Sequence, residues 1–407
     1  MPNVFDVLNE RGYIAQVTHQ EELRKLLANE QVTFYQGFDP TSDSFTTGHL
    51  LTLMAHSHLQ KAGHRFITLM GTGTGMVGDP SDRTEMRRVM TREDVMHNIN
   101  CFKMQIGRFV DYSGGKAIME ENSWLLELNY VNFLRDYGVH FNINRMLAAD
   151  CYKSRLGEGL TFLEFNYMLM QAYDFLELYK RYDCKLQLGG NDQWSNILAG
   201  ADLIRKVLGK QVYCMTFKLL TADDGSKMGK SVGKAIWLDA GKTTPYDFYQ
   251  HFRNTRDEAV IEKLKLFTFL ELDEISKYEK LMGSELNAAK ELLAFEVTKI
   301  VHGEDEAKKA KSATLALFSD GGDIESMPTT EISHSEAEAG INIVTLLEKC
   351  GLVPSRSEAR RLIAGGGIKL GDKKIESHEE LAGLSSFSDG YVIIQKGKKT
   401  FHKVQLK

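Results

Sequence analysis

Residues 35–50 read YQGFDPTSDSFTTGHL. On the way into them, Val32, Phe34 and Gln36 alternate against Thr33 and Tyr35 with the period of a strand. The strand is expected to break at Gly37 and the chain to turn through Asp39-Pro40-Thr41. Order resumes at Gly48-His49 as a helix, LLTLMAHSHLQKAG, with Leu50, Leu53, Met54 and Leu59 on or near one face and Gly63 as its stop. A strand, loop and helix in this order aim backbone N–H groups and the positive end of a helix dipole at one point, where phosphate binds readily. Open α/β sheets gather ligands at the carboxyl ends of their strands, so the site is expected beyond Gly37.

The 407 residues are long for one core and imply two or three domains. An apolar content of 43% supports a buried core, and 26% charged residues is ordinary for a globular chain. With Asp6 and Glu10 early and no long apolar run, neither secretion nor a membrane span is expected. The cysteines at 101, 151, 184, 214 and 350 form no CxxC pair and read as reduced, buried thiols of a cytoplasmic protein; no metal site is expected. The net charge of −5 is uneven: residues 341–407 hold twelve Lys/Arg against seven Asp/Glu, net +5, which leaves −10 on the rest. A basic tail on an acidic body suits contact with a polyanion.

In chain order, EELRKLLANE within 1–30 reads as helix. HRFITLM reads as a buried strand, and Gly73-Thr-Gly75-Met-Val-Gly78 after it satisfies the dinucleotide-binding pattern. That reading is set against two facts: the first strand-to-helix turn is the earlier one at Gly37, and Asp79-Pro80-Ser81 stands where a long helix should open. A tight turn that lets backbone approach a ligand accounts for the same glycines and points Asp79 into the cleft with Tyr35. Residues 92–150 read as helices. In FLEFNYMLMQAYDFLELYKRY, Tyr167, Gln171 and Asp174 fall at i, i+4 and i+7 on one helix face. Most such residues are amphipathic surface, but polar groups in so apolar a helix need partners, and a small polar ligand supplies them. CKLQLGGNDQW reads as a strand whose Gly189-Gly190 end suits close backbone approach, with Asp192 able to reach sugar hydroxyls and Gln193 beside it. TADDGSKMGKSVGK fails the P-loop pattern because Asp224 stands where its glycine is required. It remains a loop carrying Lys227 and Lys230. Residues 247–325 read as helices, 326–340 as a polar linker, and 341–407 as a small helix-and-strand module.

Taken together, YxGFDPTxxS, GDPS, YxxxQAYDF, GGxDQW and the KMGKS loop resemble the bacterial tyrosyl-tRNA synthetases of class I in order and spacing over nearly the whole chain. The resemblance implies a doubly wound, Rossmann-like parallel-sheet catalytic domain over 1–246, a helical domain over 247–325, the linker, and over 341–407 an RNA-binding domain similar to that of ribosomal small-subunit protein four. It implies that Tyr35 and Asp174 read the phenol of tyrosine, and that Asp79, Tyr167 and Gln171 hold its ammonium. ATP, with Mg2+ accompanying it, would lie across Gly37, Asp39, Thr41, His49, Thr52, Gly190 and Asp192. Gln193 would stand near the α-phosphate, while Arg83, Arg87, Lys227 and Lys230 close over the pyrophosphate. A homodimer is also implied.

Two departures stand out. The family's HIGH motif begins with histidine where this chain has Thr46, which keeps a hydroxyl donor but loses the imidazole. Its KMSKS motif reads KMGKS, keeping both lysines. In the tail, Arg356, Arg360, Arg361, Lys369 and Lys373 would contact phosphates of tRNA. Tryptophanyl-tRNA synthetases share the fold, but Tyr35 with Asp174 argues against tryptophan. A non-catalytic RNA-binding role, favoured only by Thr46, is opposed by retention of the polar set.

Overall fold

Six strands form the main sheet: β1 (Ile14–Val17), β2 (Thr33–Phe38), β3 (Arg65–Met70), β4 (Ala117–Glu121), β5 (Cys184–Gly190) and β6 (Tyr213–Phe217). The computed structural model describes residues 2–81, 90–157, 159–219, 235–316, 327–371, 373–387, 390–397 and 400–407. In space the strands run β1-β6-β5-β2-β3-β4. All pairs are parallel except β1 with β6, which closes one edge antiparallel. From β2 the winding goes one way to β3 and β4, and on the other side to β5 and β6. That reversal leaves a crevice at the carboxyl end of β2.

β2 is buried at Phe34, Tyr35, Gln36 and Phe38, because an interior parallel strand is covered on both faces. It runs through Gly37, which pairs with Leu69, one residue past the break expected from sequence. β4 lies in a stretch expected to be helical. Its sequence, AIMEE, is poor in strand formers, and the half-buried glutamates are tolerated because β4 is the edge opposite β1. β1 likewise lies within residues expected to be helical.

Three helices serve the crevice: α1 (Thr47–Lys61), α2 (Tyr167–Tyr182) and α3 (Trp194–Leu208). α1 is buried without interruption from Leu50 to Ser57, so it packs as a core helix. The glycine run after β3 forms a short turn at Thr74–Met76, with Gly78 at φ 86°. Gly73 N–H donates to Asn122 Oδ1 at 2.7 Å, so it is spent on the protein itself. Among the described residues no long helix opens there, and the dinucleotide pattern lacks its context.

The chain divides into two compact units, Met1–Thr243 with Asn254–Leu293, and Thr244–Arg253 with Ala294–Lys407. The helices expected as one domain over 247–325 are thus shared between them. In the second unit, five strands order as Lys373–Lys374, Ile368–Leu370, Tyr391–Lys396, Thr400–Leu406 and Thr329–Ile332. The last of these falls in the stretch 326–340 that read as a linker. It pairs parallel with Thr400–Leu406 and is followed by helix His334–Ala339, capped by Ser333 with Glu336. Ile332 and Ala337 carry this polar stretch into the core of the unit, beside Ile343, Leu346 and Ile363. With Met327, three buried side chains in so polar a run leave little trace of periodicity. Among the described residues, no helix is long and apolar enough to cross a membrane.

Candidate active site

At the crevice a cavity of about 610 Å³ opens, lined from β2, α1, the loop after β3, α2 and the turn after β5. Tyr35, Gly37, Asp39, Thr41, Thr46, His49, Thr52, Asp79, Tyr167, Gln171, Asp174, Gly190, Asp192 and Gln193 all line it. The sequence placed them across 159 positions of chain; the sheet brings them to one wall. Arg83, Arg87, Lys227 and Lys230 lie outside the described residues.

One end of the cavity is closed. Asp174 is 2% exposed, accepting from Trp124 Nε1 on Oδ1 and Asn122 Nδ2 on Oδ2, both at 2.8 Å. Burial pushes its pKa well above the carboxylate range, with the two N–H donors opposing and the Asp39 charge adding to the rise. Tyr35 is 1% exposed, and among the described residues its hydroxyl has no hydrogen-bond partner. Burial first, then the neighbouring Asp174 charge, raise its pKa, so the phenol stays protonated and able to donate. A buried hydroxyl without a partner carries a cost of about 1–3 kcal/mol that a polar ligand would relieve.

The middle of the cavity is a carboxylate-and-amide lattice. Asp79 accepts Ser81 N–H at 2.9 Å and Gln193 Nε2 at 2.6 Å. Gln193 is in turn held through its Oε1 by Asn196 on α3, at 3.2 Å. Tyr167 donates to Asp39 Oδ2 at 2.8 Å and Thr74 Oγ1 to Asp39 Oδ1 at 2.7 Å. A Cβ on Gly71 would stand 2.3 Å from Asp39 Oδ1, so this pairing requires glycine there. One turn along α2 from Tyr167, Gln171 Oε1 is buried without a partner among the described residues.

At the open end, Thr46 caps α1. Its backbone N–H donates to His49 Nδ1 at 3.2 Å and its hydroxyl lies 3.1 Å from the same nitrogen. A backbone N–H can only donate, so Nδ1 carries a lone pair and the proton of the neutral ring sits on Nε2. The hydroxyl that replaces the expected histidine therefore orients His49. A Cβ on Gly190 would stand 2.6 Å from Asp192 Oδ1, so this glycine lets the carboxylate fold back against the strand end.

Sequence reasoning missed Asn122 and Trp124, which hold Asp174, and Gln36 beside Thr52. The signal for Asn122 and Trp124 was their place just past β4, the strand whose composition hid it. Among the described residues, no group of three His, Cys, Asp or Glu side chains has the arrangement of a metal site. The five cysteines are unpaired; Cys101 is half-buried and the other four are buried.

The family model for tRNA synthetases of class I (W and Y) matches residues 27–319. The chain belongs to this family. A second model, for a tyrosine–tRNA ligase SYY-like C-terminal domain, matches residues 322–404. A tyrosine–tRNA ligase of Acetivibrio thermocellus is 57% identical and one of Caldanaerobacter subterraneus 54% identical, each over 100% of both chains. Among solved structures, a C-terminally truncated mitochondrial tyrosyl-tRNA synthetase of Aspergillus nidulans superimposes with a TM-score of 0.71 at 30% identity. It covers 78% of this chain and 95% of that one. As a class I synthetase the chain keeps the Rossmann-like parallel core expected from sequence.

Proposed function

We infer that this chain activates L-tyrosine with ATP, giving tyrosyl-adenylate and pyrophosphate, and then transfers the tyrosyl group to the 3′ end of a tRNA. Full-length similarity to tyrosine–tRNA ligases supports the reaction. The observation that carries the substrate is the closed end of the cavity, where an unpartnered Tyr35 hydroxyl stands with Asp174. A phenol there accepts from Tyr35 and donates to Asp174. A site built to hydrogen-bond a hydroxyl rejects the analogue lacking it by about 10⁴–10⁵-fold, a range set by this very family's choice of tyrosine over phenylalanine.

The carboxylates of Asp79 and Asp39, with Gln171 Oε1, suit the substrate ammonium, and Tyr167 orients Asp39. The tyrosine carboxylate is itself the nucleophile. It attacks the α-phosphorus, the bond to pyrophosphate breaks, and the electron pair leaves with pyrophosphate. No side-chain nucleophile is required; positioning and charge stabilisation do the chemistry. In this reading MgATP lies over Gly37, Thr41, His49, Thr52, Gly190 and Asp192, with Gln193 near the α-phosphate. Arg83, Arg87, Lys227 and Lys230 complete the charge around the leaving group. In the second step a terminal ribose hydroxyl of the tRNA attacks the anhydride carbonyl and AMP departs.

The decisive experiment is ATP–pyrophosphate exchange without tRNA, across tyrosine, phenylalanine and tryptophan. Exchange with tyrosine alone is expected; exchange with tryptophan would overturn the substrate, and none with any of the three would overturn the enzyme reading. For the tail, Arg356, Arg360, Arg361, Lys369 and Lys373 are all exposed. Arg356 pairs with Glu348 and Lys373 with Glu380, surface ion pairs weak enough to be exchanged for phosphate. Deleting 341–407 would strip strand Thr329–Ile332 of its partner, so substitution is the cleaner test. Replacing Arg356, Arg360 and Arg361 together by Gln should raise the KM for tRNA and leave exchange intact. We also place the enzyme in the cytoplasm as a homodimer. Exposed Tyr130, Val131, Val139, Ile143, Phe162 and Leu163 give the first unit an apolar surface for a second copy. Sedimentation at one protomer mass would exclude the dimer.

A further inference from the structure

Behind the open end of the cavity runs a chain of hydrogen bonds whose direction is fixed by one backbone carbonyl. Thr52 Oγ1 donates to His49 O at 2.9 Å. Having spent its proton there, Thr52 can only accept from Gln36, whose Nε2 lies 3.3 Å away. The amide is thereby oriented with Oε1 toward His56 Nε2, at 3.0 Å. An amide oxygen only accepts, so His56 must carry a proton on Nε2. His49, Thr52 and His56 lie at i, i+3 and i+7 on α1, and Thr52 and His56 meet β2 at Gln36.

His56 is a costly residue to keep. It is fully buried, stacked on Phe66 at 4.4 Å between ring centroids, with Phe34, Phe38 and Phe217 around it. Its Nδ1 has no partner among the described residues, and burial lowers its pKa to about 3, so it stays neutral. Among the described residues, Gln36 Oε1 is the one hydrogen-bond partner of the ring. A phenylalanine would fill this aromatic cage without stranding a ring nitrogen. Gln36, only 8% exposed, still lines the cavity, and the relay leaves it one Nε2 proton not used by Thr52.

We propose that His56 is a positioning residue for nucleotide binding: through Gln36 it fixes an amide donor and the Thr52 hydroxyl at the open end of the cavity. The donor then meets an acceptor oxygen of the bound nucleotide without first paying to order its side chain. This rests on the placement of ATP proposed above.

The test is tyrosine-dependent pyrophosphate exchange with KM measured separately for ATP and for tyrosine. His56→Phe should raise the KM for ATP by roughly three- to tenfold, the loss of one net hydrogen bond. The KM for tyrosine should not change, and the melting temperature should not fall. His56→Gln, which returns an amide N–H toward Gln36, should bring the ATP KM back to near the parent value. Gln36→Leu should show the ATP defect alone, and His56→Phe added to it should do nothing more. A folded His56→Phe with an unchanged ATP KM, equal rises in both KM values, or a His56→Gln as defective as His56→Phe would overturn the proposal. If His56→Phe does not fold, Gln36→Leu decides, and an unchanged ATP KM there is fatal. If Thr52→Ala and Gln36→Leu both move only the tyrosine KM, the placement of ATP has failed instead.

Discussion

The two ends of the cavity solve the same problem differently. At the closed end, Asp174 is satisfied before any ligand arrives: both of its oxygens already accept from Asn122 and Trp124, and it is fully desolvated. At the open end, Thr46, His49, Thr52 and Gln36 are neutral groups linked by hydroxyl and amide bonds, and Thr46 and His49 are only half-buried. The first arrangement stores its cost in a buried carboxyl and an unpartnered phenol, so its reward comes only from a ligand that fits. The second carries no charge of its own, and its cost sits behind it in the buried His56. Selectivity should therefore break at the closed end, and rate and nucleotide affinity at the open end.

Asp174→Asn is the harshest break. An amide NH₂ at this position must face the N–H of Asn122 or of Trp124, leaving one buried donor unpaired, and the phenol loses its carboxyl partner. Together these should lower kcat/KM for tyrosine by about 10²-fold or more, each buried group left unpaired being worth about 1–3 kcal/mol. The same variant reports the pKa. A carboxyl whose folded value is raised adds stability that is fully present below its unfolded value, about 3.9, and is lost as pH rises toward the folded value. Relative to Asp174→Asn, the parent should be most stable at low pH and lose ground as pH climbs above that point. Parallel urea midpoints with pH-independent difference would remove the raised pKa.

Asn122→Ala comes next. It strips one donor from Asp174 and one from Thr74 and should raise the tyrosine KM about tenfold at unchanged ATP KM, a loss near 1–1.5 kcal/mol. Tyr35→Phe should be milder, about three- to tenfold in tyrosine KM, because the hydroxyl contributes one neutral bond. Its signature is the free protein: with the orphaned hydroxyl gone, the melting temperature should hold or rise while discrimination against phenylalanine falls. A drop in melting temperature would mean that the hydroxyl has a partner in the unliganded state.

The closed and open ends were also unequally legible. Tyr35, Asp79, Tyr167, Gln171 and Asp174 could be read from sequence because short runs carry them and α2 spaces three of them on one face. Asn122 and Trp124 could not, since they follow an edge strand of two glutamates whose only strand signal is its pairing with β3. At the open end the strand, loop and helix around Gly37 were readable, yet the Gln36–His56 bond joins a strand to a helix twenty residues on, and no periodicity records it. The parallel core was readable from β2, β3 and β5. β1 hid inside residues that looked helical, and the polar run at 326–340 hid a strand that only the tail's sheet reveals.

The smallest effect should be at Thr46. As cap of α1 its hydroxyl is worth about 0.5–2 kcal/mol of stability, so Thr46→Ala should lower the melting temperature by a few degrees. The effect on chemistry is separable. His49 Nδ1 keeps the backbone N–H of residue 46 in the variant, so the tautomer survives and only the hydroxyl contact is lost. Single-turnover adenylation should slow several-fold with the tyrosine KM unchanged, and Thr46→Ser should restore both rate and stability. An unchanged adenylation rate in a less stable protein would reduce Thr46 to a helix cap. It would also mean that the open end positions nucleotide without the hydroxyl that replaced a histidine, leaving His49 and the Gln36 relay to carry that end alone.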